Sequence, residues 1–528
     1  MDSKVLEIYK LLQNAEISKA CELAQSYYNS QKTDKSLAAV KVLAISYMLK
    51  PDHRLAYLYF KEAYSIEEND FEIITNLASC AFEMQDFQLS FEMANKSVQK
   101  DPDKHMAYVT LSNIYLTTKE IELAKQNVLK AIAILGGDIP KLYSSHEDII
   151  ILYLDILTAL NENQKIIDIF NLIKQTKRNS LAGLLHVLNR VDKSAISIAD
   201  ISEAKNQIEI LKSMPDNNKT SLARAHLNFC LGDYYLKEDP SISDEYFIEG
   251  NSIISGLQRF KPLDHQKRII ETIKNFLKIK DYKVSNQEKG KGLIFITGLP
   301  RSGTTLAESI VASNNDTCAG GELDVLRFAI PKDFINEPTL EKIEELGDTY
   351  INTTNFLRKD KKYFVDKLPQ NFELIGLISV CLPGAKIINM NRKFWDVAIS
   401  QFQQYYVRNV PYTSSFFSMA ITAANYEFMM SQYEKQVDPS KLLQINYEEL
   451  VLNKTEMIHQ IYNFCQIQSD YNSQERSKHI SKTASSSQVK GEIHQKSLNK
   501  NNFADYKEIF MDAYEMQKSF WISKNIEN

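Results

Sequence analysis

Residues 293–305 read LIFITGLPRSGTT. The first four are apolar and favour extended backbone, which predicts a short buried strand. Glycines follow at positions 298 and 303, and a helix-like stretch begins after them. Strand, glycine-rich turn and helix in this order predict an anion-binding loop, because backbone N–H groups and the helix N-terminus can surround a negative charge.

More short apolar runs follow this stretch, at Tyr363–Val365, Lys386–Met390 and Leu442–Ile445. Amphipathic segments separate them, and strands that alternate with helices are typical of a parallel α/β sheet. Ligands of such sheets bind at the carboxyl ends of the strands. We therefore expect the chemistry of the chain to lie around residue 300.

The glycine-rich turn has the spacing of a nucleotide P-loop, G-x-x-x-x-G-K-[ST], with one change. Thr304 occupies the position of the lysine that reaches the β- and γ-phosphates. Hydrolysis of ATP or GTP is hard to support without that lysine. Arg301, inside the turn, can supply the positive charge instead.

The N-terminal half repeats with a period of 34 residues. Small and large apolar residues recur at equivalent positions, as expected where paired helices approach closely and stack into a solenoid. The three clearest units contain Leu43, Ala44, Tyr47, Ala56, Phe60 and Ala63, then Leu77, Ala78, Ala81, Ser90, Ala94 and Ser97, then Leu111, Ser112, Tyr115, Ala124, Val128 and Ala131. Residues 7–30 look like a degenerate earlier unit, and Ala225–Leu236 with Tyr246–Gly250 look like the last one.

Composition narrows the class of protein. The chain has 528 residues, is 44% hydrophobic and carries a net charge of −5, which argues against disorder and against a polybasic surface for nucleic acid or anionic lipid. Its six cysteines are far apart, and the histidines of the C-terminal half have no ligand spacing, so we expect neither disulfides nor a metal. The N-terminus lacks the apolar core of a signal peptide, so the expected location is cytoplasmic, with no membrane partner.

The segment PRSGTT (residues 300–305) resembles the 5′-phosphosulfate-binding loop of sulfotransferases that use 3′-phosphoadenosine 5′-phosphosulfate (PAPS). The chain as a whole resembles the tetratricopeptide-repeat-containing sulfotransferases and the tyrosylprotein sulfotransferase family. The resemblance implies an α-helical solenoid of tetratricopeptide repeats over residues 1–255 and a helical connector and linker over 256–290. A P-loop-like α/β sulfotransferase domain with a parallel sheet would then occupy residues 291–528.

The resemblance also implies catalytic residues. Glu322, in GGEL, matches the family's catalytic base, and Lys367, in DKLPQNF, matches the lysine at the bridging oxygen. Arg301 would stabilise the leaving phosphate, and Ser485, in TASSSQV, would bind the sulfate region. A nearby segment, NYEEL at residues 446–450, resembles another family motif, but its glutamates are interpreted as ordinary helix N-terminal charges.

The resemblance also implies which residues bind the cofactor. The 5′-phosphosulfate would contact Arg301, Ser302, Gly303, Thr304 and Thr305, and the 3′-phosphate would contact Arg392, Ser400 and Lys500. Two departures from the family pattern bear on this assignment. Lys393-Phe394 replaces the usual Asp-Pro after the arginine, and Asn501 replaces a tryptophan.

The predicted function is PAPS-dependent sulfuryl transfer to an acceptor hydroxyl, with a protein tyrosine preferred and a protein or peptide docked on the repeats. A carbohydrate or small-molecule acceptor, a non-catalytic repeat scaffold and a P-loop kinase remain alternatives. The aromatic residues Phe402, Tyr405, Tyr406, Phe416 and Phe417 are interpreted as core, with an acceptor pocket as the alternative. The oligomeric state is open.

Overall fold

The computed structural model describes residues 2–31, 35–176, 182–215, 217–331, 334, 337–406, 410–468, 471 and 502–524. The chain forms two compact units. One unit comprises Met1–Asn161 with Asp324–Ala329 and Asn352–Leu357. The other comprises Glu162–Leu323, Ile330–Ile351 and Arg358–Asn528.

The first unit is built mainly of antiparallel helical hairpins. Its helices are α1 (Ser3–Gln13), α2 (Ile17–Ser30), α3 (Leu37–Leu49), α4 (His53–Ile66), α5 (Phe71–Glu83), α6 (Phe87–Lys100), α7 (His105–Thr117), α8 (Ile121–Ile134), α9 (Ile139–Ser145) and α10 (Glu147–Ala159). The predicted 34-residue units coincide with the hairpins α3–α4, α5–α6 and α7–α8, which confirms the repeat prediction.

Local sequence explains where these helices begin and how they pair. Asp52 and Asp86, one period apart, accept hydrogen bonds from backbone N–H groups in the first turns of α4 and α6. Ala56 and Ala94 are completely buried, because small side chains let neighbouring helices approach closely. Ser90 is equally buried, and its hydroxyl donates to the Ala78 carbonyl across the hairpin at 2.7 Å.

The second unit begins with more helices of the same kind: α11 (Asn163–Lys174), α12 (Ala182–Val191), α13 (Ile198–Ser213), α14 (Asn218–Tyr235), α15 (Pro240–Leu257) and α16 (Pro262–Ile279). The predicted last repeat is the hairpin α14–α15. Glycine is required at two positions in it, since a Cβ at Gly232 would lie 2.9 Å from the Phe247 ring and one at Gly250 would lie 3.0 Å from the Phe229 ring. The boundaries at residues 255 and 290 stay a prediction.

A five-stranded parallel sheet follows in the second unit. Its strands are β1 (Leu293–Gly298), β2 (Thr317–Gly321), β3 (Tyr363–Asp366), β4 (Lys386–Asn391) and β5 (Leu442–Asn446), in the order β2-β3-β1-β4-β5. The four apolar runs are strands, as predicted. Strand β2 was missed because TCAGG lacks the apolar character of a buried strand. The strand order reverses direction at β1, so the turns after β1 and β4 flank the crevice where such sheets bind ligands.

The remaining described helices are α17 (Thr304–Val311), α18 (Val325–Ala329), α19 (Leu340–Arg358), α20 (Ile375–Cys381), α21 (Phe394–Phe402), α22 (Phe416–Gln436), α23 (Tyr447–Leu452), α24 (Lys454–Phe464) and α25 (Lys507–Ser523). On one face of the sheet, Ile294, Ile296 and Ile388 join a buried core with Ile310 of α17 and Ile461 of α24. This packing fixes β1 and α17 on either side of the glycine-rich turn. No helix in the described part of the chain combines the length and apolar character that a membrane span requires.

A buried polar contact ties three helices of the second unit together. Asn425 of α22 accepts a 2.8 Å hydrogen bond from the Trp521 indole through Oδ1. An indole nitrogen only donates, so the amide nitrogen of Asn425 must face His265 of α16, whose Nδ1 lies 2.8 Å away. Nδ1 of His265 therefore accepts, and the ring is neutral. Accordingly, burial and the nearby Arg268 lower the pKa of His265 to about 4.

Candidate active site

The turn between β1 and α17 has a shape that requires its glycines. Gly303 has a φ of +104°, in the left-handed region, and Arg301 also has a positive φ of +72°. A Cβ on Gly298 would lie 2.6 Å from the Met390 carbonyl, and one on Gly303 would lie 2.5 Å from the Tyr447 ring. The turn is thus held tightly between β4 and the start of α23, with its backbone at the N-terminus of α17.

Hydroxyl groups line this turn from inside. Ser302 is 1% exposed, and its Oγ has no hydrogen-bond partner among the described residues. Thr304 and Thr305 are buried beside it, and the N-cap residue of α17 is Gly303, which has no side chain to cap the helix. A buried hydroxyl without a partner is costly, so a ligand that accepts its hydrogen bond would stabilise the turn.

Two arginines meet at the turn. Arg392, directly after β4, donates from Nη1 to the carbonyl of Arg301 at 3.2 Å, and its guanidinium lies 4.6 Å from the centre of the Tyr447 ring. Burial lowers the pKa of Arg301, and the positive charge of Arg392 adds to that effect. Arg301 nevertheless stays charged at physiological pH, because the ordinary pKa of arginine is so high. Two cations held this close favour the binding of an anion between or beside them.

Helix α21, which carries Ser400, is attached to the same turn. Gln401 donates from Nε2 to the Pro300 carbonyl at 2.8 Å. Ser400 is buried, and its hydroxyl donates to the Asp396 carbonyl within the helix. The structure therefore brings the helix of Ser400 to the turn, while the serine hydroxyl is engaged in a local hydrogen bond. To donate to a phosphate, it would have to rotate.

The predicted base and lysine form an ion pair. Glu322 follows β2 and Lys367 follows β3, so both lie at the carboxyl edge of the sheet. Lys367 Nζ is 2.5 Å from Glu322 Oε1, and the Lys367 backbone N–H donates to the Gly321 carbonyl at 2.8 Å. The lysine side chain is fully buried, whereas the glutamate side chain is 44% exposed. The carboxylate is thus accessible to an acceptor while a buried cation holds it in place.

The residue before this lysine is held by a second contact. Asp366 accepts a 2.9 Å hydrogen bond from the Tyr350 phenol of α19, and both residues are buried. Burial and the negative charge of Asp366 raise the pKa of Tyr350 well above its ordinary value, so the phenol keeps its proton and donates it. The end of β3 is therefore fixed from both sides.

Tyr406 is a further candidate residue of the active site. In the sequence it was noted only as a member of an aromatic cluster. Its pKa is raised chiefly by burial, and the charges of Arg301 and Glu322 act on it in opposite directions. It therefore lies within electrostatic reach of both the turn and the predicted base. Its buried phenolic oxygen has no hydrogen-bond partner among the described residues. Phe402 and Phe416 of that cluster are core, since both are buried and their rings stack at 4.5 Å, whereas Phe417 is 41% exposed.

Two contacts of the NYEEL motif were not predicted, one with the turn and one with the segment after β4. Tyr447, in NYEEL, packs against Gly303 and Arg392. Glu448 accepts a 3.1 Å hydrogen bond from the Lys393 backbone N–H, so it positions the segment after β4 in addition to lying in the first turn of α23. The sequence predicted only helix N-terminal charges for this motif and no role for its tyrosine.

A polar network supports the strand ends behind the turn. Asn389 receives a 3.0 Å hydrogen bond from Thr297 and donates to Gln444 and Tyr426 at 2.6 and 2.5 Å. Tyr426 in turn donates to Asn391 at 2.6 Å. Buried networks of this kind hold the elements that they join in one arrangement. Here they join β1, β4 and β5 beneath the site.

Two predicted site residues, Ser485 and Lys500, lie outside the described residues, as do the TASSSQV segment and Asn501. The structure therefore brings Arg301, Ser302, Gly303, Thr304, Thr305 and Arg392 together at one turn, with Ser400 on an attached helix. Glu322 and Lys367 are paired at the same edge of the sheet. The roles of all these residues stay predictions.

Comparison with known proteins identifies the domain. The model of the sulfotransferase family matches residues 294–471. An uncharacterized protein of Aquifex aeolicus (strain VF5) is 27% identical over 334 residues, which are 58% of this chain and 43% of that protein. A protein of Caenorhabditis briggsae, named as a candidate protein-tyrosine sulfotransferase, is 27% identical over 190 residues, which are 33% of this chain and 66% of that protein. The chain thus spans less than two thirds of either relative.

A solved structure is similar to part of this chain. It is a tetratricopeptide repeat protein from Parabacteroides merdae ATCC 43184, with 16% identity, a TM-score of 0.34, and coverage of 47% of this chain and 91% of that one. The family match covers all five strands except Leu293 of β1, together with the glycine-rich turn and Arg392. Residues 294–471 are thus similar to the sulfotransferase family, in a chain whose N-terminal part consists of helical hairpins that repeat every 34 residues.

Proposed function

We propose that this chain transfers the sulfuryl group of PAPS to an acceptor hydroxyl, and that the acceptor is a protein tyrosine. The observation that carries the proposal is the Glu322–Lys367 pair, at the same sheet edge as the turn that holds Arg301. An accessible carboxylate and a buried cation, beside an anion-binding turn, are what transfer from an anionic donor to a hydroxyl requires.

The described residues fit a donor with two anionic groups. The buried Ser302 hydroxyl and the N-terminus of α17 suit the 5′-phosphosulfate, since both donate hydrogen bonds to negative charge. Arg392 suits the 3′-phosphate, and its contact with the Arg301 carbonyl keeps it beside the turn. The donor supplies an activated sulfuryl group when bound, and its 3′-phosphate is the group that ATP lacks.

Each residue then has a defined task. Glu322 accepts the proton of the acceptor hydroxyl as the acceptor oxygen bonds to sulfur and the bond from sulfur to the bridging oxygen breaks. Lys367 and Arg301 stabilise the negative charge that passes to the leaving phosphate. Sulfuryl transfer, like phosphoryl transfer, depends mainly on positioning and charge stabilisation. The protein therefore forms no covalent intermediate in this proposal.

Two observations support a tyrosine acceptor over a carbohydrate. The Caenorhabditis briggsae relative carries the name of a protein-tyrosine sulfotransferase. Helical repeats are also suited to docking a protein or peptide on a continuous surface. We therefore propose that the repeats present a protein substrate or partner.

The test is transfer of ³⁵S-labelled sulfate from PAPS by the full chain. We expect label on a tyrosine-containing peptide, none on the matched phenylalanine peptide, and none on an oligosaccharide. Glu322→Gln should lower kcat by roughly 10²–10⁴-fold. It should leave binding of 3′,5′-ADP intact, and the exposed Glu345→Gln should change neither property.

The outcomes separate the alternatives. Label on the oligosaccharide instead of the peptide would assign a carbohydrate acceptor. Binding of 3′,5′-ADP with no transfer to any hydroxyl would favour a non-catalytic scaffold. Full activity of Glu322→Gln would remove Glu322 from the role of base.

A further inference from the structure

Two histidines and a cysteine meet in the helical part of the second unit. His226 and Cys230 lie one helical turn apart on α14, so their side chains share a face. His186 comes from the neighbouring helix α12. One ligand atom from each of the three lies within 4.8 Å of the other two.

One nitrogen atom of this cluster makes no hydrogen bond to the described residues and could bind a metal ion. The Nε2 atom of His226 is buried and has no hydrogen-bond partner among the described residues. The His226 ring stacks on Tyr405 at 4.5 Å, with an interplanar angle of 11°, and meets the His186 ring edge-on at 5.3 Å. Its orientation is therefore fixed by packing on both sides.

The third member is equally confined. Cys230 is 2% exposed, and its thiol makes a long 3.4 Å contact with the Ala182 carbonyl at the start of α12. Asn189 of α12 donates to the Cys230 backbone carbonyl at 2.9 Å. These contacts hold α12 against α14 at the level of the cluster.

We propose that His186, His226 and Cys230 form a binding site for Zn²⁺ or a similar divalent transition metal. Two imidazole nitrogens and a thiolate are ligands that zinc prefers, whereas Ca²⁺ and Mg²⁺ prefer oxygen. Zinc bonds of about 2.1 Å to nitrogen and about 2.3 Å to sulfur require the ligand atoms to move closer together by roughly 1 Å. Three protein ligands leave the fourth position to water or another donor.

The site has a consequence for the neighbouring chemistry. Tyr405, on which His226 stacks, immediately precedes Tyr406. Tyr406 lies within electrostatic reach of Arg301 and Glu322. An ion bound by His226 would therefore fix the helix surface against which this part of the candidate active site packs. The metal proposal rests on the cluster alone and does not depend on sulfuryl transfer.

The test uses the full chain, stripped with a chelator and titrated with Co²⁺, which gives a thiolate-to-cobalt charge-transfer absorption when cysteine is a ligand. We expect one equivalent of Co²⁺ to bind with that absorption, and Zn²⁺ to displace it. Cys230→Ser should remove the charge-transfer band and lower occupancy at least tenfold. Cys80→Ser, which alters an equally buried thiol elsewhere, should bind like the wild type.

A second variant keeps the test decisive if Cys230→Ser does not fold. His186 is less buried than Cys230, so we expect His186→Asn to stay folded. Zn²⁺ should raise the Tm of the wild type and of Cys80→Ser but leave that of His186→Asn unchanged. Folded wild-type protein that takes up no Co²⁺, or equal Co²⁺ binding by wild type and His186→Asn, would overturn the proposal.

Discussion

Replacing Gly303 with alanine tests whether the shape of the glycine-rich turn is set by its contact with Tyr447. The new Cβ would meet the Tyr447 ring at 2.5 Å, a separation that real Cβ atoms do not show. The residue would also have to keep a φ of +104°. Gly303→Ala therefore introduces two separate costs, one from the backbone conformation and one from the contact.

The two costs are of similar size. An L-residue in the left-handed region costs roughly 1–2 kcal/mol. Overpacking against a buried ring costs roughly 1–3 kcal/mol. We expect Gly303→Ala to lower the free energy of unfolding by about 2–5 kcal/mol if the two costs add. Gly321 has a φ of +77°, and no atom lies within 4 Å of a Cβ built on it. Gly321→Ala should therefore lower the free energy of unfolding only by the backbone cost of about 1–2 kcal/mol.

Urea unfolding followed by tryptophan fluorescence measures the correct unit. The chain has two tryptophans, Trp395 and Trp521, and both belong to the unit that contains the turn. Introducing Gly303→Ala into a Tyr447→Ala background should cost about 1–3 kcal/mol less than introducing it into the wild type. The contact with Tyr447 would be refuted if Gly303→Ala and Gly321→Ala lowered the free energy of unfolding equally. It would also be refuted if Gly303→Ala cost the same in the wild type and in the Tyr447→Ala background.

Three further predictions follow from named contacts. Arg392→Ala should abolish the rise in Tm that 3′,5′-ADP produces, whereas Lys393→Ala, at the neighbouring position, should retain most of it; a rise that survives Arg392→Ala would contradict the assigned 3′-phosphate contact. His265 has a pKa of about 4 in the folded chain against an ordinary 6.5, so the unfolded chain binds its proton first, and stability should fall as the pH drops from about 6.5 to about 4. The loss should approach 3 kcal/mol and be absent in His265→Gln, as measured by urea unfolding of both proteins across that range. Tyr350→Phe removes the phenol that donates to Asp366, and urea unfolding should show a loss of about 1–3 kcal/mol, whereas an unchanged midpoint would mean that water replaces the phenol.

The repeat and sheet predictions succeeded because their signals are local and periodic. Completely buried small residues recur every 34 positions where two helices touch, as at Ala56, Ser90 and Ala124, so the period is visible in the sequence itself. Strands β1, β3 and β4 are buried on both faces or nearly so and read as apolar runs, and the partly buried β5 still carries Leu442, Leu443 and Ile445. Strand β2 consists of TCAGG, without a run of large apolar residues, so it gave no such signal.

The candidate site was predictable where a motif fixes the backbone. Gly303 and Arg301 belong to one continuous turn, and their conformations follow from the turn's spacing. The Glu322–Lys367 contact was different, because 45 residues separate the two positions. It arises only because β2 pairs with β3 in parallel, which places the residues after both strands at one edge. The family resemblance predicted a role for both residues, but the pairing of β2 with β3 is what brings them into contact.

The same reasoning explains why the sequence predicted no metal while the structure motivates a proposal of one. Spacing rules find ligands that a single hairpin or helix brings together, and His226 and Cys230 fit such a rule only as an isolated pair. The third ligand, His186, lies 40 positions before His226 and becomes a neighbour only when α12 packs against α14. In a solenoid, each helix meets partners one or two elements away, so ligand sets arise at separations that vary with helix and loop length. Histidines and cysteines on successive repeat helices should therefore be compared by the face they occupy, since a fixed interval between them is not expected.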